Sequence, residues 1–196
     1  MKEDILEQIV EEYLSHRGYF VRHNVKFLPD KTHVDFVTNQ DSNHSDIDVI
    51  GIHPTLTGPD RIVAVSCKSW QSGFNPQSII KAIETGKKVG GKDASKHFRE
   101  LTSPKWSEAF RTAVEKETGS REFTYLTAVT HLNGTAEAWE RHAPFSEAMA
   151  GNPIRLITFK DMLIDIQGTL TTTLASTEIG RMIQIIRAAK IRMVTD

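Results

Sequence analysis

The order of secondary-structure signals predicts a mixed α/β fold in which one β-sheet is flanked by helices. Three observations lead to this prediction. An amphipathic helical pattern opens the chain, strongly apolar runs rich in β-branched residues follow as strands, and helical stretches separate the later strands. The length of 196 residues suits one domain with a substantial core, so we expect a single domain over residues 1–196.

The first third of the chain predicts one helix followed by a run of strands. EDILEQIVEEYLSHRG has an apolar stripe at helical spacing and ends at Gly18. YFVRHNVKFL predicts a strand, and VDFV at residues 34–37 predicts another strand or part of its return. DIDVIGIH and RIVAVSCK predict the next two strands, which we expect to pair antiparallel through a turn at TLTGPD.

The rest of the chain alternates helices with two further strands. The dipeptide NP predicts the start of a helix over roughly residues 76–89, and residues 90–119 predict two helical pieces that break near Ser103-Pro104. EFTYLTAVTHL and PIRLITF predict strands, with the helical stretch AEAWERHAPFSEAMAG between them. FKDMLIDI predicts a short helix, and TEIGRMIQIIRAAKI predicts an amphipathic closing helix.

Composition and charge exclude some classes of protein and leave others open. The formal net charge of −1 argues neither for nor against nucleic acid as a partner. The single cysteine, Cys67, excludes an internal disulfide and argues against a cysteine-based zinc site. No segment approaches a membrane span, and the charged start MKEDILEQIVEE does not resemble a secretion signal. We therefore expect a cytoplasmic protein with no membrane partner.

Two residues at the ends of the paired strands predict a site. Asp48 lies near the start of one strand and Lys68 at the end of the next, so an antiparallel pairing brings them to the same end of the hairpin. There a carboxylate could hold Mg²⁺, while an ammonium positions a water and stabilises a phosphorane. An ordinary hairpin with a polar rim is the alternative. Asp46 could replace Asp48 as the ligand, but Asp48 directly precedes VIGI.

DIDVIGI, a turn and VAVSCKSW together resemble the core motif of the PD-(D/E)xK nucleases. In that family an aspartate opens a hydrophobic strand, and an acid, one spacer residue and a lysine end the next strand. Asp48 matches the aspartate, Lys68 the lysine, and Cys67 the spacer, whose backbone carbonyl helps to ligate the metal. The resemblance implies a restriction-endonuclease-like mixed sheet flanked by helices, with Mg²⁺ or Mn²⁺ as cofactor and DNA as substrate.

The first helix also carries a resemblance. LEQIVEEYLSHRGYFVR is similar to the first helix of archaeal Holliday-junction resolvases, where a glutamate precedes a leucine and a glycine at the spacing of Glu7, Leu14 and Gly18. The similarity implies that Glu7 is a further acidic ligand. The alternative is that Glu7 simply belongs to the solvated acidic face of this helix.

Ser66 departs from the family pattern because it stands where the acid is expected. A neutral hydroxyl is a weaker Mg²⁺ ligand than a carboxylate, so the site loses one negative charge. Some restriction enzymes of this fold carry Ser-x-Lys on the strand and place the acid on the following helix, which here implies Glu84. Others carry Gln-x-Lys, so the position tolerates a neutral group. A solvated helix glutamate is the alternative for Glu84.

The segment after this motif is rich in cations, which suits contacts to a phosphate backbone or a solvated pair of helices. Its basic residues are Lys81, Lys87, Lys88, Lys92, Lys96, His97, Arg99 and Lys105. Within it, GKKVGGKD matches the opening of a phosphate-binding P-loop but lacks the preceding strand and the hydroxyl residue after the lysine.

Taken together, the sequence predicts a metal-dependent DNA endonuclease, or the nuclease subunit of a defence, restriction or transposition system. Because the chain shows no separate recognition module, loops, a homodimer or a larger recognition subunit would choose the target. The alternative is a non-catalytic protein of the same fold, in which Ser66 marks a decayed site and the chain binds nucleic acid or a protein partner.

Overall fold

A five-stranded mixed β-sheet organises the molecule, and the computed structural model describes residues 4–170, 175 and 177–191. The helices and strands are α1 (Ile5–His16), β1 (Phe20–Phe27), α2 (Thr38–Asp41), β2 (Ser45–Ile52), β3 (Ile62–Lys68), α3 (Pro76–Glu84), β4 (Lys88–Val89), β5 (Lys92–Asp93), α4 (Arg99–Thr102), α5 (Pro104–Thr118), β6 (Thr124–Val129), α6 (Glu137–Glu140), α7 (Ala143–Ala148), β7 (Ile154–Thr158), α8 (Phe159–Thr169) and α9 (Glu178–Ala188). Short 3₁₀ helices cover Pro59–Arg61 and Ala94–His97.

The strand order in the sheet is β1-β2-β3-β6-β7. The first three strands pair antiparallel, and β3, β6 and β7 pair parallel. β4 and β5 form a separate antiparallel hairpin. Helices cover both faces of the main sheet, so the predicted mixed α/β class is confirmed.

The two faces of the sheet carry different cores. The face covered by α3 to α7 has an aromatic core, whose largest members are Phe74, Phe98, Trp106, Phe110, Phe123, Tyr125, Trp139 and Phe145. The face covered by α1, α8 and α9 has an aliphatic core of Leu6, Ile9, Val10, Leu14, Met162, Leu163, Ile166, Leu170 and Ile183, together with strand residues. Burial of each large apolar side chain contributes about 1.5–3 kcal/mol, so both layers hold the sheet rigid.

The first helix forms as its sequence pattern predicts. The Asp4 side chain caps its N-terminus by accepting a hydrogen bond from the Leu6 backbone N–H at 2.9 Å. Gly18 lies just beyond its end with a φ of 86°, in the left-handed region that favours glycine. The cap and the buried stripe fix the start of α1 beside the end of β3, because Ser69 also donates a hydrogen bond to Asp4.

Three sequence predictions need correction. VDFV forms turns rather than a strand, because β1 pairs directly with β2 and Val34 is left 93% exposed. α3 ends at Glu84 rather than near residue 89, since the chain turns at Gly86 and enters the β4–β5 hairpin. That hairpin, a 3₁₀ turn and α4 replace the first predicted helical piece of residues 90–119.

Other predictions agree with the structure. α4 ends at Thr102 and α5 begins at Pro104, so the helix breaks where the proline predicts. The closing helix is α9. Across the described ranges, no helix has the length and apolar character needed to cross a membrane. The predicted domain range includes 1–3, 171–174, 176 and 192–196, which lie outside the described residues.

Candidate active site

The candidate site lies where β2 and β3 separate. Their register runs from Ile52 opposite Ile62 to Val49 opposite Val65, and it stops there. Beyond this last pair, the Cys67 backbone N–H donates a hydrogen bond to Asp48 Oδ2 at 2.6 Å. A side-chain carboxylate therefore spans the opening fork between the two strands, where a ladder bond would otherwise be expected.

An irregularity in β1 and β2 explains why Asp48 turns toward β3. In a regular strand, residues 47 and 49 would point to the same face of the sheet. Here Ile47 packs in the aromatic core and Val49 in the aliphatic core, so the strand turns over at Asp48. Asn24, which falls opposite Asp48 in the β1–β2 register, has a φ of 54°. The distortion thus affects both strands and leaves Asp48 aimed along the sheet.

Neutral oxygens and an aromatic ring hold the Lys68 ammonium. Lys68 Nζ donates to Ser66 Oγ at 2.7 Å and to the Cys67 carbonyl at 3.3 Å. It also lies 5.2 Å from the centre of the Phe98 ring, within the range of a cation–π contact. Since β3 continues to pair with β6 as far as Lys68, the backbone that carries the ammonium is fixed.

Polar groups lead from Lys68 into the aromatic core. Ser66 is only 7% exposed, and its hydroxyl lies close enough to the Tyr125 phenol to affect the pKa of that group. The Tyr125 hydroxyl donates to Glu100 Oε1 at 2.6 Å, and Glu100 is 6% exposed. Burial raises the pKa of Tyr125 well above its ordinary value, and the Glu100 charge raises it further. The phenol therefore stays protonated and lies between Ser66 and a buried acid.

Asp48 is a half-buried carboxylate that accepts few hydrogen bonds. Burial raises the pKa of Asp48 above its ordinary value, and the charges of Glu100 and Asp46 add to this effect. The Lys68 ammonium and the Cys67 N–H act in the opposite direction but do not offset it. A strongly desolvated acid beside a specific cation is typical of functional sites.

Cys67 contributes its backbone rather than its thiol. Burial raises the pKa of the thiol well above its ordinary value, and the charges of Asp48, Glu7 and Asp4 raise it further. Lys68 only partly opposes them. The thiol packs against the aliphatic core, and its raised pKa disfavours the thiolate form that a nucleophile or a metal ligand requires.

The charges around the fork fit a divalent cation. Apart from the Lys68 ammonium, the largest charge effects on Asp48 and Cys67 come from the carboxylates Asp4, Glu7, Asp46, Asp48 and Glu100. Within the described part of the chain, no three His, Cys, Asp or Glu side chains form a ready metal-binding group. Mg²⁺ commonly uses only one or two carboxylates and fills its shell with water and substrate phosphate. Asp48 and the Cys67 carbonyl fit such a sparsely anchored ion.

The other predicted ligands lie at different distances from this group. Glu7 lies in the first turn of α1 and faces Cys67 closely enough to raise its pKa. Asp46 is exposed, and it is Asp48 that bonds Cys67. Glu84 is exposed at the end of α3 and lines a hollow of about 380 Å³ that neither Asp48 nor Lys68 lines. This position does not favour Glu84 as the second acid.

The structure adds Glu100 and Tyr125, which sequence reasoning missed. In the sequence, Glu100 lies within the basic segment, and no motif gives it a role. The buried Phe98 precedes the four-residue helix α4 and the buried Leu101 follows Glu100 within it, a pattern that indicates burial of Glu100 as well. Its partner Tyr125 lies near the start of β6, 25 residues away, and no local pattern connects the two.

Comparisons with known proteins find no family model, no curated protein and no solved structure that matches the chain. A functional conclusion must therefore be argued from the geometry and charge of the site itself.

Proposed function

We propose that the chain is an Mg²⁺- or Mn²⁺-dependent DNA endonuclease with a restriction-endonuclease-like fold. The observation that carries the proposal is the half-buried Asp48 carboxylate, which accepts a hydrogen bond from the Cys67 N–H across the strand fork, with the Lys68 ammonium on the next residue. The order of elements supports it, because a helix, three antiparallel strands and a parallel strand follow one another. The resemblance to the PD-(D/E)xK motif rests on the same residues.

Each group in the fork has a role in phosphodiester hydrolysis. Asp48 and the Cys67 carbonyl would hold the metal, which supplies positive charge to the scissile phosphate when it is bound. The Cys67 carbonyl already accepts from Lys68 at 3.3 Å, but a carbonyl oxygen has a second lone pair. Lys68 would orient the attacking water and stabilise charge that develops on the phosphate.

Ser66 and Glu100 together would replace the missing motif acid. Ser66 fixes the Lys68 ammonium through a direct hydrogen bond. The negative charge comes from Glu100, which lies behind Ser66 and Tyr125 and acts on Asp48 electrostatically. Glu100 is therefore a positioning residue that adds charge to the site without contacting the reacting atoms.

The hydrogen bonds of Lys68 favour one alternative, a non-catalytic member of the fold. Lys68 bonds inward to Ser66, and the Asp48–Cys67 bond closes the fork between the strands. In a decayed site these contacts would be purely structural, and the chain would act by binding nucleic acid or a protein. On this alternative, the activity of the protein would not depend on a divalent metal, whereas the first proposal requires one.

The decisive experiment compares Asp48→Asn with the neighbouring control Asp46→Asn. We expect the wild-type protein to cleave plasmid and linear duplex DNA with Mg²⁺ or Mn²⁺ and not with EDTA. Asp48→Asn should lower the rate roughly 10²–10³-fold, as expected for loss of a group that organises transition-state charge, and should weaken Mn²⁺ binding measured by calorimetry. Asp46→Asn removes only a neighbouring charge that acts on Asp48 at a distance, so it should change the rate and the Mn²⁺ affinity far less than Asp48→Asn does. A wild-type protein that does not cleave DNA, with Mn²⁺ binding unaffected by Asp48→Asn, would favour the non-catalytic alternative.

A further inference from the structure

The hairpin of β4 and β5 carries exposed lysines that form no ion pair with the residues that the structure describes. We call residues 87–93 the basic hairpin; within it, Lys87, Lys88 and Lys92 are exposed. Asp93 lies opposite Lys88 in the hairpin and forms an ion pair with Lys96 at 2.9 Å. No ion pair among the described residues involves Lys87 or Lys92. The hairpin therefore presents positive charge to the solvent.

Several other cations of the predicted basic segment have partners within the fold. Lys105 donates to the buried Asp41 at 2.5 Å and to the Asp35 carbonyl at 2.7 Å. The Arg99 guanidinium lies 4.9 Å from the centre of the Trp106 ring. Among the described residues of the predicted basic segment, the exposed lysines without an ion pair are therefore Lys81 on α3 and the three lysines of the basic hairpin.

The basic hairpin is anchored to the residues beside the strand fork. The His97 Nε2–H donates to the Val89 carbonyl at 2.9 Å, and the His97 ring meets the Trp70 ring edge-to-face at 5.3 Å. Trp70 follows Lys68 by two residues, and the next residue after His97 is Phe98, over which the Lys68 ammonium lies. The hairpin and the candidate site therefore share one rigid support.

The tip of the basic hairpin is open backbone. Gly90 and Gly91 have φ values of 56° and 82°, and a Cβ added to either would meet nothing within 4 Å. Glycines at such positions allow the turn and leave the backbone without side chains. A large polyanion could therefore approach the lysines without steric hindrance from the tip.

We propose that the basic hairpin binds the phosphate backbone of double-stranded DNA beside the strand fork, a proposal that rests on the nuclease function proposed above. A duplex is favoured over a single strand because single-strand binders stack bases on exposed aromatic rings. The Trp70 ring, which meets the His97 that anchors the hairpin, is partly buried against Phe74, His97 and Phe98. The hairpin offers charge without a stacking surface, which suits backbone contacts to a duplex.

The test compares two variants with the same change in charge. Lys87→Gln/Lys92→Gln removes two hairpin cations. The control, Arg61→Gln/Lys116→Gln, also removes two exposed cations. Arg61 lies just before β3 and Lys116 near the end of α5, so Arg61 lies at the end of β3 opposite Lys68. Affinity for a short labelled duplex is measured across a KCl series in EDTA, so that no cleavage occurs. Thermal melts of both variants check that they fold.

We expect the hairpin variant to lower the salt slope of log affinity by about two, since each phosphate contact contributes about 0.9. The control should retain the wild-type slope. An unchanged slope in the hairpin variant, or a wild-type protein that does not bind duplex, would overturn the proposal. Tighter hairpin-dependent binding to single-stranded DNA or to RNA than to duplex DNA would overturn it as well.

Asp48→Asn separates this proposal from the nuclease function. It should bind duplex DNA with the wild-type slope, because it leaves the hairpin intact. If the wild-type protein fails to cleave but the hairpin dependence of binding holds, the nuclease function fails and the DNA-binding surface stands. If cleavage depends on Asp48 but the salt slope of log affinity does not change in Lys87→Gln/Lys92→Gln, the nuclease function stands and the hairpin proposal fails.

Discussion

Asp41 is buried and Asp48 is half-buried, and the two carboxylates differ in the number of hydrogen bonds that they accept. Asp41 is 3% exposed and accepts hydrogen bonds from the Val37 N–H at 2.8 Å, Lys105 Nζ at 2.5 Å and Trp106 Nε1 at 3.0 Å. Asp48 accepts one bond from a backbone N–H, and the nearby ammonium donates to other oxygens. Asp41 is saturated, whereas Asp48 has unused acceptor capacity.

The pKa values of the two acids move in opposite directions as a result. Burial alone would raise the pKa of Asp41, but its three donors outweigh burial and leave the pKa below the ordinary value. Burial raises the pKa of Asp48, and its single hydrogen bond and Lys68 do not compensate. A buried carboxylate that accepts several hydrogen bonds stabilises the fold. A carboxylate with unused acceptor capacity is available to bind a ligand.

Lys68 and Lys105 differ in the same way as the two aspartates. Replacing each lysine separately tests this contrast and should give the largest effects. Lys68→Met removes the ammonium but keeps an apolar stem, so we expect cleavage to fall roughly 10²–10³-fold while thermal stability changes little. Lys105→Met leaves the Asp41 charge buried without its cation and should cost about 3 kcal/mol of unfolding free energy. Cleavage assays and urea unfolding, both carried out on each variant, measure the two predicted effects.

The lysine comparison has a clear contrary outcome. Cleavage by Lys105→Met should match the wild type at temperatures where the variant is fully folded. If Lys68→Met cleaves normally, or Lys105→Met loses cleavage while folded, the separation into structural and functional ion sites is wrong.

Substituting the two aspartates should change stability in opposite directions at neutral pH. Asp41→Asn weakens the bond to Lys105 and should cost about 2–3 kcal/mol. Asp48→Asn keeps an acceptor for the Cys67 N–H and removes a desolvated charge, so it should stabilise the protein by about 1 kcal/mol, as is common at functional sites. Denaturant unfolding at neutral pH measures both values.

The pH dependence follows from the signs of the two pKa shifts. The folded pKa of Asp48 lies above the unfolded value of about 3.9, so ionisation costs stability at higher pH and the cost vanishes as pH falls toward 3.9. The folded pKa of Asp41 lies below that value, so its stabilisation persists until pH falls through the folded pKa. The gain from Asp48→Asn should therefore disappear at a higher pH than the loss from Asp41→Asn. The opposite order would contradict the assignment.

The sequence predicts the fork better than it predicts what supports it. Asp48, Cys67 and Lys68 lie on strands with strong apolar patterns, and the short turn between these strands sets their register. The face change at Asp48 has no such signal, because it depends on a distortion that β1 shares through Asn24. Local periodicity describes single strands and contains nothing about such paired irregularities.

The acids are harder to predict because long-range packing selects them. Glu84 was favoured by its place on the helix after the strand, but that helix ends there and leaves the side chain exposed. Glu100 lies near Asp48 only because α4 packs over β6 and brings it to Tyr125. The basic hairpin was misread as helix for a similar reason, since its strands are only two residues long.

The smallest expected effect distinguishes Glu100 from Glu84 as the source of the second negative charge. Glu100→Gln keeps an acceptor for the Tyr125 hydroxyl but removes a charge that raises the pKa of Asp48. The acid limb of the pH profile of cleavage should therefore move to lower pH, because Asp48 ionises more readily. Since a negative charge near the metal is lost, the Mg²⁺ concentration for half-maximal cleavage should rise about threefold to tenfold, an electrostatic effect of roughly 1 kcal/mol. Glu84→Gln is the matched control and should change neither quantity. If Glu84→Gln changes the Mg²⁺ concentration for half-maximal cleavage and Glu100→Gln does not, the second acid lies on α3, as the family resemblance implies. The buried polar groups between Lys68 and Glu100 would then serve packing alone.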